Sequence, residues 1–129
     1  MIQVNQLSKQ YNGTTVLNIN NLEIPKGQSF GLVGNNGAGK TTFFSLLLDL
    51  IQPSTGNITS NSIQVNTSEN WKSFTGSFLD ESFLIGYLTP EEYFYFIGDL
   101  RHQNKADIDA LLKQHEEFFN GEILNNKKY

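Results

Sequence analysis

Eight consecutive residues, Gly34-Asn35-Asn36-Gly37-Ala38-Gly39-Lys40-Thr41, match the template G-x-x-x-x-G-K-[ST] at every fixed position. Chance gives such a match in roughly half a percent of chains this long, so the octapeptide is informative by itself. The chemistry it suggests is phosphate binding. Glycines let the backbone turn tightly and bring successive N–H groups toward one point. A phosphate placed there accepts those bonds and faces the positive end of a helix dipole. Lys40 is expected to reach the β- and γ-phosphates, and the Thr41 hydroxyl to ligate Mg²⁺. The alternative is a glycine-rich turn that binds nothing.

Such a loop works only between a strand and a helix. Ser29-Phe30-Gly31-Leu32-Val33 reads as a short buried strand, and Thr41 to Leu50 as the helix that follows. Upstream, Ile2 to Tyr11 and Thr14 to Ile24 read as strands joined by Asn12-Gly13, a strong hairpin signal. Pro25-Lys26-Gly27 is a turn. Downstream, Asn57 to Ser60 and Ile63 to Asn66 suggest two short strands, and Phe74 to Leu79 another. Thr89-Pro90-Glu91-Glu92 is a helix start: a cap, a proline at the first helical position and a capping-box glutamate. Its body runs from Tyr93 to Arg101. A second helix starts near Asn104 and carries Ile108, Leu111, Leu112, His115, Phe118 and Phe119 at helical spacing, stopped by Asn120-Gly121. His102 and His115 read as packing or surface residues.

The chain has 129 residues, a 38% hydrophobic fraction, 10 Phe and 5 Tyr. The aromatics compensate for the modest apolar fraction in buried area. A net charge of −4 with no basic cluster argues against nucleic acid as a partner. Without cysteine there are no disulfides and no thiolate metal site. No apolar run approaches bilayer length, and the polar N-terminus lacks a signal peptide's apolar core. The expectation is a cytoplasmic protein.

The stretch LSKQYNGTTVLNINNLEIPKGQSFGLVGNNGAGKTTFFSLLLDLIQPSTGNI resembles the opening of an ATP-binding cassette (ABC) ATPase, the motor subunit of ABC transporters. Gly34 to Thr42 fits that family's G-x-N-G-[AS]-G-K-[ST]-T, and PSTGNI resembles its P-x-x-G-x-I. The resemblance implies an α/β P-loop NTPase fold, truncated, with an N-terminal antiparallel hairpin and a partial helical subdomain. It implies that residues 1–80 form the nucleotide-binding part and 81–129 a linker with the helical subdomain. ATP and Mg²⁺ are the implied ligands, held by Asn35, Asn36, Gly37, Ala38, Gly39, Lys40, Thr41 and Thr42. Tyr11 sits where the family places an aromatic that stacks on adenine; otherwise it is a surface tyrosine at a hairpin end. Val16 is expected to line the same face.

Asp80 falls where the family carries a glutamine that senses Mg²⁺ and the attacking water. A carboxylate there can ligate the metal or polarise that water; otherwise Asp80 and Glu81 are a solvated acidic turn. Phe83, Tyr87, Tyr93 and Phe94 are candidates for a groove that receives a permease helix, with core packing as the competing role. The family's signature loop, its Asp-Glu strand and its switch histidine do not occur, so the chain reads as the N-terminal portion of the cassette, inactive alone. The implied partners are a second copy, head to tail, and a transmembrane permease at the inner face of the cell membrane. A non-transport ABC-type ATPase acting as a nucleotide-dependent module is the alternative. A kinase or unrelated hydrolase is a third, against which the Tyr11 hairpin and PSTGNI argue.

Overall fold

Asn12 and Gly13 both take positive φ, 49° and 80°, which gives the connection the twist that antiparallel strands need. In the computed structural model, which describes residues 1–120, β1 (Ile2–Tyr11) and β2 (Thr14–Ile24) pair across this turn. β3 (Thr55–Ser60) pairs with the other edge of β1, and β4 (Ile63–Gln64) with β3. The result is a four-stranded antiparallel sheet in the order β2-β1-β3-β4.

Val4 and Leu7 are both buried, although three positions apart. A regular strand would point them to opposite faces. The register between β1 and β3 shifts between Asn5 and Ser8, and Gln6 has φ 44°. This bulge inserts one residue and returns Leu7 to the inner face. There α1 (Lys40–Leu47) lays Phe43 and Leu46 against Val4, Leu7, Ile58, Val65 and Trp71. Trp71 comes from a 3₁₀ turn, Asn70–Phe74, and its indole N–H donates to the Val65 carbonyl at 3.0 Å. The buried polar end of the ring is thereby satisfied.

Two expected strands do not form. Ser29 to Val33 is irregular and unpaired, with Phe30 45% and Val33 95% exposed. Phe74 closes the 3₁₀ turn and residues 75–79 are unpaired, with Phe78 71% exposed. Their apolar content is strand-like, but a ladder needs a neighbour, and no described strand lies beside either segment.

The chain divides into two compact units, Met1–Leu79 and a second beginning at Asp80. In the second, Glu81–Phe83 is a 3₁₀ turn, followed by α2 (Pro90–Leu100), α3 (Lys105–Gln114) and α4 (Glu116–Phe119). Both expected helix starts are present as reciprocal capping boxes, Thr89 with Glu92 and Asn104 with Asp107. The second helix is not continuous to Phe119. His115 donates its backbone N–H to Leu112, and its ring Nδ1 lies 3.0 Å from the Leu111 carbonyl that the helix would use. Asn120 is left-handed (φ 46°) and ends α4; Gly121 lies outside the described residues. Gly98 lets α2 approach α3: a Cβ there would stand 2.6 Å from Ile108 Cδ1. Tyr95 and Lys105 converge on Asp109, and the Tyr95 hydroxyl foremost, then Lys105, holds that carboxyl below the usual carboxylate range.

Thr89 is buried (8% exposed) and its hydroxyl accepts from the Glu92 N–H at 3.2 Å. Thr89→Ala is expected to destabilise the second unit by about 1–2 kcal/mol, read as a lower urea midpoint at unchanged slope.

Candidate nucleotide site

The loop begins where the unpaired 28–33 segment ends, and its shape follows from its glycines. Gly37 and Gly39 have φ 82° and 88°, values at which a side chain is strained. The Ala38 N–H closes a turn onto the Asn35 carbonyl at 3.1 Å. Lys40, the first residue of α1, curls back over the loop. Its ammonium donates to the Gly34 carbonyl and, at 2.7 Å, to the Asn35 carbonyl. Gly34 tolerates this because a Cβ there would already stand 3.3 Å from Ala38 Cβ and 3.9 Å from Lys40 Nζ.

No side chain caps α1; its N-cap is Gly39 itself. The first N–H groups of a helix have no intrahelical partner, so these amides are available to an anion. Loop residues 35–38 are exposed. Thr41 is also exposed, its hydroxyl makes no hydrogen bond among the described residues, and Thr42 beside it is half-buried. Free main-chain donors, one ammonium and one free hydroxyl at one mouth suit a polyphosphate and its hard, oxygen-seeking cation.

The hairpin forms the floor of the loop. A Cβ on Gly39 would meet the Val16 carbonyl at 2.7 Å and Leu17 Cδ1 at 3.2 Å. Gly39 is therefore needed twice, for its φ and for the closeness of β2. Val16, expected on the nucleotide face, touches the loop with its backbone. Tyr11 ends β1 at the hairpin turn, with its ring half exposed (48%) and the Lys9 ammonium 4.9 Å from its centroid.

Asp80 opens the second unit. It is exposed and caps the Glu81–Phe83 turn, accepting from the Ser82 N–H at 2.7 Å and from the Ser82 hydroxyl. The Ser82 hydroxyl first, then its amide, holds the Asp80 carboxyl below its ordinary range, so it is ionised at neutral pH. Glu81 lies in the same turn. Among the groove candidates, Phe83 and Tyr87 are exposed. Tyr93 and Phe94 are half-buried, and Phe94 packs edge-on against Phe119 at 5.9 Å.

The ABC transporter family model matches residues 17–128. The chain belongs to that family. It is 36% identical over 117 residues to the bacitracin transport ATP-binding protein BcrA of Enterococcus faecalis, covering 88% of this chain and 37% of that one. It is 41% identical over 58 residues to the lantibiotic transport ATP-binding protein SrtF of Streptococcus pyogenes, covering 45% of this chain and 25% of that one. This ABC chain thus spans well under half the length of these curated relatives. Among solved structures, the ATP-binding subunit of an ABC transporter superposes with a TM-score of 0.78 at 25% identity, over 92% of this chain and 50% of that one. A dimeric ATP-binding cassette in a post-hydrolysis state with ADP and phosphate gives a TM-score of 0.80 at 19% identity, over 99% and 61%. The latter likeness is one of fold.

Three contributors to this ABC loop escaped the sequence reading. The Gly34 and Asn35 carbonyls hold Lys40, and Leu17 packs under Gly39. Main-chain acceptors carry no residue-type signal. Leu17 carried only that of one more apolar residue on β2.

Proposed function

We propose that this chain is the nucleotide-binding portion of the ATP-binding subunit of an ABC transporter. In that reading the whole subunit binds MgATP, pairs head to tail with a second copy and drives a membrane permease by hydrolysis. One observation carries the reading: the left-handed glycine loop, with Lys40 folded over its mouth, leads directly into an uncapped helix N-terminus. In support, the matched relatives BcrA and SrtF are transport ATP-binding proteins. No helix among the described residues is long and apolar enough to cross a membrane, so the membrane path is assigned to the permease.

The roles divide by chemistry. Main-chain N–H groups of residues 37 and 39–42 bind phosphate oxygens; Asn35, Asn36 and Ala38 shape the turn that presents them. Lys40 exchanges its carbonyl contacts for the β- and γ-phosphates and offsets charge as it develops on the transferred group. The Thr41 hydroxyl holds Mg²⁺, which supplies neutralisation of the phosphate oxygens. Tyr11 stacks on the adenine with Val16 beside it, a contact worth ~1–3 kcal/mol. Asp80, ionised at neutral pH, offers a carboxylate of the kind that suits a hard cation or a hydrogen-bonded water.

Calorimetric titration tests this assignment. MgATP is expected to bind with measurable heat, and more tightly than ATP in chelator. Thr41→Val keeps the shape and removes the oxygen, and is expected to erase most of that Mg²⁺ dependence. Absence of any MgATP binding by the full-length protein would overturn the reading.

A further inference from the structure

Lys9 and Tyr11 are two positions apart on β1, on either side of a register irregularity with β2 between Lys9 and Gln10, and their side chains meet. Lys9 is half-buried, and no carboxylate pairs with it among the described residues. Its ammonium has two contacts: the Gln52 carbonyl at 2.7 Å and the Tyr11 ring, 4.9 Å from the centroid. That distance lies within the range in which a cation is attracted to an aromatic face. The backbone around the pair is fastened to the segment after α1. The Gln10 N–H donates to the Ser54 hydroxyl at 2.9 Å, the Ser54 N–H to the Ser8 carbonyl at 2.8 Å, and the Ser8 and Thr55 hydroxyls bond at 2.7 Å. A lysine without a counter-charge, parked on the one aromatic at the hairpin turn and anchored from behind, is placed to fix the plane of that ring.

We propose that Lys9 is a positioning residue for the nucleobase. Its ammonium fills one face of Tyr11, pins the ring through Gln52, and leaves the opposite face as the platform for a purine. The inference rests on the stacking role assigned to Tyr11 above and adds the group that orders it. An ordered ring loses less freedom when a base lands on it. The effect is therefore confined to ligands that carry a base. The PSTG segment acquires a role as well, because Ser54 and Thr55 hold the strand end from which both side chains project.

The test compares two probes on the full-length protein, MgATP and magnesium tripolyphosphate, which shares the phosphates and lacks the base. Lys9→Met keeps the aliphatic stem and removes the charge. It is expected to weaken MgATP about two- to fivefold, the range of an exposed cation–π contact, and to leave tripolyphosphate unchanged. Lys9→Arg is expected to restore MgATP binding. In a Tyr11→Ala background, Lys9→Met is expected to add no further loss. Equal losses for both probes, no loss for either, or additive losses in the double variant would each overturn the role of Lys9 alone. Unchanged MgATP binding in Tyr11→Ala would remove the stacking platform itself, and Lys9 with it. The phosphate assignment is read independently, from tripolyphosphate binding by the unsubstituted protein.

Discussion

Lys40→Ala is expected to weaken MgATP by about 10- to 150-fold, because a charge-assisted contact to phosphate is worth roughly 1.5–3 kcal/mol and Lys40 is the only lysine in the loop. Displacement of a fluorescent ATP analogue measures the change. The loss should not come from unfolding. The contacts Lys40 makes to Gly34 and Asn35 are solvent-exposed, so water replaces them when the ammonium is removed and no buried acceptor is left unsatisfied. A thermal melt of the variant is therefore expected to stay close to that of the unsubstituted protein. Lys113→Ala, which removes a lysine from the second unit, controls for net charge and should leave binding intact. Lys40→Arg keeps the charge but offers a planar fork on a longer arm. It should recover only part of the affinity, since the loop's close turn fits a compact ammonium. Full affinity in Lys40→Ala would mean that the loop does not grip a triphosphate.

The features legible in the sequence were those that short stretches of chain decide for themselves. Asn12-Gly13 specified a hairpin because the turn demands positive φ at both positions. Thr89 with Glu92 specified a helix start because the two groups satisfy each other's donors within one turn. The glycine loop's shape was legible for the same reason: its glycines and Lys40 act within seven residues of each other. What failed was non-local. The apolar runs at 29–33 and 74–79 have strand composition, yet strand formation depends on a neighbour elsewhere in the chain, which composition does not report. Val4 and Leu7 share a face only because Gln6 is bulged, and the bulge is set by β3, some fifty residues on. The break at His115 turned on a side chain taking up a helical carbonyl, a competition that periodicity does not see. Within the site, the loop residues were nameable from their types, whereas the main-chain acceptors for Lys40 and the packing of Leu17 beneath Gly39 emerge only when the chain is folded.

Gly56→Ala should be the most damaging single-methyl change to the first unit. Gly56 has φ 73°, and a Cβ there would stand 2.3 Å from both the Asn5 and Gln6 carbonyl oxygens. These belong to the backbone of the bulge that turns Leu7 into the core, so neither can swing aside as a side-chain end would. Two costs therefore combine: about 1 kcal/mol or more for a side chain in the left-handed region, and about 1–3 kcal/mol for overpacking against backbone. A total near 3 kcal/mol corresponds to a melting temperature lower by about 12–24 °C for a unit of this size. Gly13→Ala separates the two costs. Gly13 has a similar φ, 80°, with nothing within 4 Å of the added methyl, so only the first cost applies and the melting temperature should fall by about a third as much. Equal losses at the two positions would show that the close approach of β3 to the bulge contributes nothing. The consequence would reach the nucleotide site, because the bulge sets the face on which α1 packs, and α1 carries Lys40 and Thr41. Gly56→Ala is accordingly expected to weaken MgATP along with stability, while Gly13→Ala leaves the phosphate contacts in place.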